Sequence, residues 1–353
     1  MQQAFLTGSL EFLRRPFASN IKTGDRVLVL TDTRHDPRVW QAVMTILAEL
    51  GADASLAMFE PRPADYYDPP AVIAEAMRHS DVNVLLASTG MLHSPANMKA
   101  MAAGVPTICL DGGMTLEMLQ SGGITEDMHA MTARKHYLAV NAFGSDPKQC
   151  RVTSKHGTDF TYSVEKRIWA PRLPDLSSDP YKIIDMRKID GREGKMPLLF
   201  MLLPAGELNI APVEGTANGR LVFDLCIHQI GRIHEPIALD IEDSKIVGIC
   251  GGVEAHTLRQ YLETYGDQNA YFCPAEASIG VNAKAIARGV QREDKNILGT
   301  MHFGIGTNID VGGSILSNIH MDGVILHPTL FVDGVERIRE GRFLVPLDRL
   351  LEK

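Results

Sequence analysis

The sequence predicts an α/β plus α+β architecture. Residues 1–149 read as a mostly parallel α/β domain, and residues 150–353 as an antiparallel β-rich domain that carries candidate metal ligands. Three observations predict it. Short apolar runs alternate with helix-spaced segments in the N-terminal part. Strand-like runs punctuated by Gly, Asn and Asp dominate from about Cys150. Acidic and histidine residues stand inside apolar, glycine-rich stretches of that second part.

Each element follows in order. Arg26–Leu30 is a valine-rich run of strand length, and Pro37–Leu50 places Val39, Val43, Ile46, Leu47 and Leu50 at helical spacing. Gly51 closes that helix as a left-handed cap residue would. Val82–Ala87 and Thr107–Leu110 are two further short runs, each preceded by a helical stretch, which is the rhythm of a helix-covered parallel sheet. In such sheets ligands gather at the loops after the strands, here Thr31–Asp36 and Ser88–Pro95. No glycine-rich phosphate loop follows any of these strands, so nucleotide binding is not expected. The second part offers Leu198–Leu203, Gly219–Leu225, Ile237–Ile241, Lys245–Ile249, Met301–Ile305 and Ile319–Leu326 as strands. It also offers one helix over Glu254–Tyr265, and Pro171–Pro180 as a long surface loop.

Composition narrows the function classes. The chain has 353 residues, 45% hydrophobic and 22% charged, with a formal net charge of −8. That balance, without a basic patch, argues against nucleic acid as a partner. Glu11, Arg14 and Arg15 interrupt the start, so a signal peptide is not expected, and no apolar run approaches a membrane span. Five scattered cysteines without a C-x-x-C pair fit reduced thiols in a cytoplasmic protein.

The candidate chemistry lies in the second part. If Ile319–Leu326 is a strand, His320 and Asp322 project from the same face, as a pair of metal ligands or as a structural hydrogen-bonded pair. Glu207 follows an apolar run, Glu276 has small or apolar neighbours, and His302 sits in a Gly-rich stretch. A carboxylate in such surroundings is costly to bury unless it is paired or bound to a cation. Two Glu, two His and one Asp are about what a pair of metals sharing a bridging carboxylate uses.

A resemblance sharpens this. Pro204, Gly206, Glu207, Pro212 and Glu214 resemble the P-x-G-E-x-x-x-x-P-x-E motif of the thermophilic-type metalloaminopeptidases, the aminopeptidase T and aminopeptidase S family. Ala275, Glu276, Gly280 and Asn282 resemble its A-E-x-x-x-G-x-N segment. Gly299, Thr300 and His302 resemble its G-T-x-H motif, His320 and Asp322 its H-x-D, and Gly157, Thr158 and Asp159 its G-T-D turn. The resemblance implies Glu207, Glu276, His302, His320 and Asp322 as ligands of two divalent metals. The family's tyrosine shortly after the G-T-x-H histidine is missing, since Phe303–Gly313 contains none. The N-terminal part is instead similar to the 2,5-dihydroxypyridine 5,6-dioxygenases. It shares their L-H-S-P motif at Leu92, His93, Ser94 and Pro95 and their S-K-x-G-x-D-F motif over Ser154–Phe160. That branch implies His93 as a base and a single Fe(II) held by His, His and Asp. Its histidine at the position of Glu276, and its apolar residues at those of Glu207 and His302, differ from this chain.

On the ligand set, the expected function is a metal-dependent hydrolase. Two divalent ions (Zn, Mn or Co) would clamp a hydroxide that attacks an amide in a small, cyclic nitrogen-containing or peptide-like substrate. Glu276 would double as general base and His93 as a substrate-binding residue or proton shuttle. The related aminopeptidases imply a homodimer. The alternatives are a non-haem Fe(II) ring-cleaving dioxygenase for a dihydroxypyridine-like compound, and a non-catalytic small-ligand binder. Glu214 could orient a ligand or lie at the surface.

Overall fold

Alternating runs of apolar residues build a parallel sheet from β1 (Arg26–Asp32), β2 (Asp53–Phe59), β3 (Val82–Leu85) and β4 (Thr107–Cys109). In the computed structural model, which describes residues 10–141, 143–144, 146–167, 170–171, 183–185, 195–197, 199–345 and 347, a strand at Phe200–Leu202 joins this sheet beside β4. The order is Phe200–Leu202, β4, β3, β1, β2. Every residue of β3 and β4 is buried, as expected of strands covered on both faces. Helix α1 (Pro37–Glu49) starts with Asp36, whose side chain accepts from the Arg38 N–H, and with Pro37 in its first turn. It buries Val39, Ala42, Val43, Ile46 and Leu47 on one stripe. Gly51 follows at φ +74, where a side chain would be strained. Helix α2 (Pro95–Ala102) is capped by the Ser94 hydroxyl.

The chain divides into two units, Met1–Thr125 with Leu173–Ala205 and Glu126–Arg172 with Gly206–Lys353. The Leu198–Leu203 run, expected as a strand of the β-rich part, therefore pairs in the parallel sheet instead. An all-apolar run records burial on both faces but not which neighbour it pairs with. The loop expected at Pro171–Pro180 lies almost wholly outside the described residues.

The second unit holds two antiparallel sheets. One contains β5 (Glu207–Ile210), β6 (Ala277–Gly280), β7 (Met301–Gly306) and β8 (His320–Ile325), which lie side by side in that order. The other runs from Lys245–Cys250 through Ile237–Glu242, Asn218–Phe223, Asp159–Ser163 and Gln149–Thr153 to Thr329–Val332, Val335–Arg339 and the Arg342–Phe343 edge. Helix α3 (Val253–Tyr265) contributes buried Ala255, Leu258 and Leu262. The fold class is thus the expected mixed one, a parallel α/β sheet plus antiparallel sheets. An aromatic knot joins the two antiparallel sheets: the Phe303 ring on β7 meets Phe160 at 5.6 Å and Tyr162 at 5.9 Å, both edge to face. Among the described residues no helix is long and apolar enough to cross a membrane.

Candidate metal centre

Strand periodicity gathers the polar residues. In the β5–β8 sheet, Asn209 is opposite Ser278 and Ser278 opposite His302. Gly304 is opposite Asp322 and Gly306 opposite His320. The backbone carbonyl of Glu276, one residue before β6, accepts the Gly304 N–H at 2.9 Å. Side chains alternate along a strand, so Glu207, Glu276, His302, His320 and Asp322 share one face. Met301, Phe303 and Ile305 take the other, where Phe303 enters the aromatic knot. Gly304 stands in the row between Glu276 and Asp322 and leaves the middle of the donor face without a side chain.

The five donors are all buried. Donor atoms of Glu207, Glu276 and His302 lie within 4.8 Å of one another. His302 Nε2 is 3.1 Å from Glu276 Oε1, and His320 Nε2 is 3.2 Å from Asp322 Oδ1 and 3.9 Å from Glu276 Oε2. Asn209 Nδ2 donates to Glu276 Oε1 at 2.6 Å and to Glu207 Oε2 at 3.1 Å, while the Ser278 hydroxyl donates to Glu276 Oε1 at 2.7 Å. His320 Nδ1 lies 2.8 Å from the Thr307 carbonyl. A carbonyl only accepts, so Nδ1 carries a proton and Nε2 is the nitrogen that faces the carboxylates. His302 Nδ1 and Asn209 Oδ1 are buried with no hydrogen-bond partner among the described residues.

A sixth charged group enters from a segment the sequence reading passed over. Helix α4 (Gln291–Asp294) and the following Lys295 are buried throughout. Lys295 Nζ lies 2.8 Å from Glu207 Oε1 and 3.0 Å from Asp322 Oδ2. Gln291 Nε2 donates to the same Asp322 oxygen at 2.5 Å, with the His228 ring 3.1 Å behind it. Burial opposes the charge on Lys295, yet Asp322 and Glu207 raise its pKa. Burial likewise opposes a charged His320, but Asp322 pushes its pKa up to about 10. Asp322 itself is held well below the usual carboxylate range, because Lys295 and His320 outweigh its burial. The clustered carboxylates thus favour the charged forms of Lys295 and His320. In the sequence, the run Gln291–Lys295 looks like any solvated stretch of mixed charge. Asn209 and Ser278 did carry a signal, since each lies two residues beyond a candidate glutamate on a strand.

Other candidates fall elsewhere. His93 belongs to the first unit and sits just before α2, half-buried, its ring edge-on to Tyr66 at 5.0 Å; the following Ser94, not His93, caps the helix. Glu214 is neither a donor of the cluster nor idle. It accepts from Asn308 Nδ2 at 3.0 Å and the Ser314 N–H at 2.8 Å and pairs with Arg167, clamping the loop that begins at Thr307. Asp159, expected to shape a turn, instead opens the Asp159–Ser163 strand, just after the turn, and makes an exposed ion pair with Arg151.

Comparison with known proteins adds a family. A family model described as NicX, 2,5-dihydroxypyridine 5,6-dioxygenase, matches residues 11–173 and 197–345. The 2,5-dihydroxypyridine 5,6-dioxygenase of Pseudomonas putida KT2440 is 28% identical over 352 residues, covering 93% of each chain. Among solved structures, 2,5-dihydroxypyridine dioxygenase from P. putida KT2440 superposes with a TM-score of 0.67 at 21% identity, covering 98% of this chain and 99% of that one. Wild-type AmpT from Thermus thermophilus superposes with a TM-score of 0.63 at 15% identity, covering 96% and 100%. The last two similarities concern the fold.

Proposed function

The chain belongs to the 2,5-dihydroxypyridine 5,6-dioxygenase family, and on that premise we propose that it is a metal-dependent, ring-cleaving dioxygenase acting on a hydroxylated pyridine-like ring. The observation that carries the reading is the extent of the family match, which takes in His93 and every donor of the buried cluster. The amide hydrolase expected from the ligand count is overturned by the same match and by the full-length relative, and the Zn, Mn or Co pair expected with it has no support. Counting ligands gave too much weight to five residues and too little to the whole chain.

The donor set fits a divalent iron: imidazoles and carboxylates, a buried ring nitrogen of His302 without a partner, and no thiolate. In this reading Glu276, His302, His320 and Asp322 would hold the ion. Fe(II), if bound there, would supply the redox-active centre that ring cleavage by dioxygen needs. The protein's part is positioning. The Thr307 carbonyl fixes the His320 tautomer, and Ser278 and Asn209 fix the Glu276 carboxylate. His93 takes the substrate-binding or proton-transferring role, a reading that rests on its L-H-S-P motif and its half-exposed ring. Ring cleavage breaks one carbon–carbon bond and keeps both oxygen atoms of O2 in the product, so the ring supplies all the electrons and no reductant is needed. Anaerobic protein loaded with Fe(II) and mixed with 2,5-dihydroxypyridine and oxygen should consume one O2 per ring lost. Ring loss without oxygen uptake, or no turnover across a panel of hydroxylated pyridines, would overturn the proposal.

A further inference from the structure

We propose that the Lys295 ammonium stands in the place of a second divalent cation and so limits the cluster to one metal ion per chain. This deepens the metal-dependent reading above and rests on it. Two carboxylates that could bridge or complete a second site are already engaged by the lysine. Its Nζ lies 2.8 Å from Glu207 Oε1 and 3.0 Å from Asp322 Oδ2. The other Glu207 oxygen takes a hydrogen bond from Asn209 Nδ2 at 3.1 Å, and Gln291 Nε2 also occupies Asp322 Oδ2. What remains for a metal is Glu276, both imidazoles and Asp322 Oδ1, which faces His320 Nε2 at 3.2 Å.

Charge gives the same count. Glu207, Glu276 and Asp322 bring three negative charges into a buried site, the ammonium cancels one, and a single divalent ion cancels the other two. A second divalent ion would leave two uncompensated positive charges away from water, which is expensive. The lysine is also built in rather than draped over the site. Its segment is anchored by Asp294, which accepts the Arg288 and Gly289 N–H groups at 2.8 Å each, and by Glu293, which accepts the Ile286 N–H at 3.1 Å.

The test counts metal. Wild type, Lys295→Met and Lys295→Arg are loaded anaerobically with excess Fe(II), and in parallel with Co(II), desalted, and assayed by elemental analysis per folded chain. The expected result is one equivalent in wild type and Lys295→Arg and two in Lys295→Met. Two equivalents in wild type, or one in a folded Lys295→Met, overturns the proposal while leaving the metal reading intact. No metal in wild type overturns the metal reading itself. Should Lys295→Met not fold, Lys295→Gln serves in its place: it too should take up two equivalents, and one equivalent in a folded Lys295→Gln overturns the proposal.

Discussion

Gly304→Ala is the smallest change that tests the donor face. A Cβ at that position would lie 3.2 Å from the Glu276 backbone nitrogen, 3.3 Å from the Ala275 Cβ and 3.3 Å from the Glu276 Cβ. None of these atoms can rotate away, since all belong to backbone or to the first carbon of a side chain. The strand pair must therefore open by a few tenths of an ångström. Overpacking of this kind costs about 1–3 kcal/mol, and one methyl at these distances falls toward the lower end, about 1–2 kcal/mol. The displacement lands on Glu276, so metal affinity should fall by roughly tenfold, the scale seen when the support of a ligand is disturbed. Urea unfolding of the metal-free protein measures the first effect, and chelator competition for Fe(II) or Co(II) measures the second. A variant indistinguishable from wild type in both would show that Gly304 does not set the floor of the site.

Four further outcomes follow from the geometry. Asp32, buried at the end of β1, accepts from the Arg34 and His35 N–H groups and from both the amide and hydroxyl of Ser88, so Asp32→Ala should cost about 2–4 kcal/mol in urea unfolding. Glu214→Ala frees the Thr307–Ser314 loop, and the Ser314 amide should exchange with deuterium at least tenfold faster, with elements of the first unit unaffected. Of the five thiols only Cys250 is exposed, so Ellman's reagent should label about one thiol per native chain quickly and none in Cys250→Ser. The Arg26 guanidinium beside Asp81 holds that carboxyl at about 2. A lowered carboxyl pKa means the pair's contribution is complete above the ordinary carboxylate range and fades as pH falls through about 2. A carbon-13 NMR titration should place the Asp81 midpoint there, and Arg26→Met should return it to the ordinary range.

Much of the framework was legible because it repeats. The 3.6-residue stripe of α1 and the apolar runs of β1, β3 and β4 announce a helix-covered sheet. The two-residue period of β8 places His320 and Asp322 on one face. Phe200–Leu202 was assigned to the wrong sheet because pairing partners are long-range information. Lys295 was overlooked for a related reason: its burial follows from two carboxylates far away in sequence, and no local pattern separates such a lysine from a solvated one. The chemistry was misjudged at the same point. Without the ammonium, the three carboxylates and two imidazoles look like a complete two-metal set.

The alternation along β7 has one last consequence. His302 and Phe303 are neighbours in the chain but serve opposite faces, one the donor cluster and the other the aromatic knot. A one-residue slip of this strand would push the imidazole in among Phe160 and Tyr162 and turn the Phe303 ring toward the carboxylates. The molecule could not then keep a sound hydrophobic interior with a broken site, or the reverse. One strand frame therefore has to serve packing and polar chemistry together, and an error in it shows in both at once.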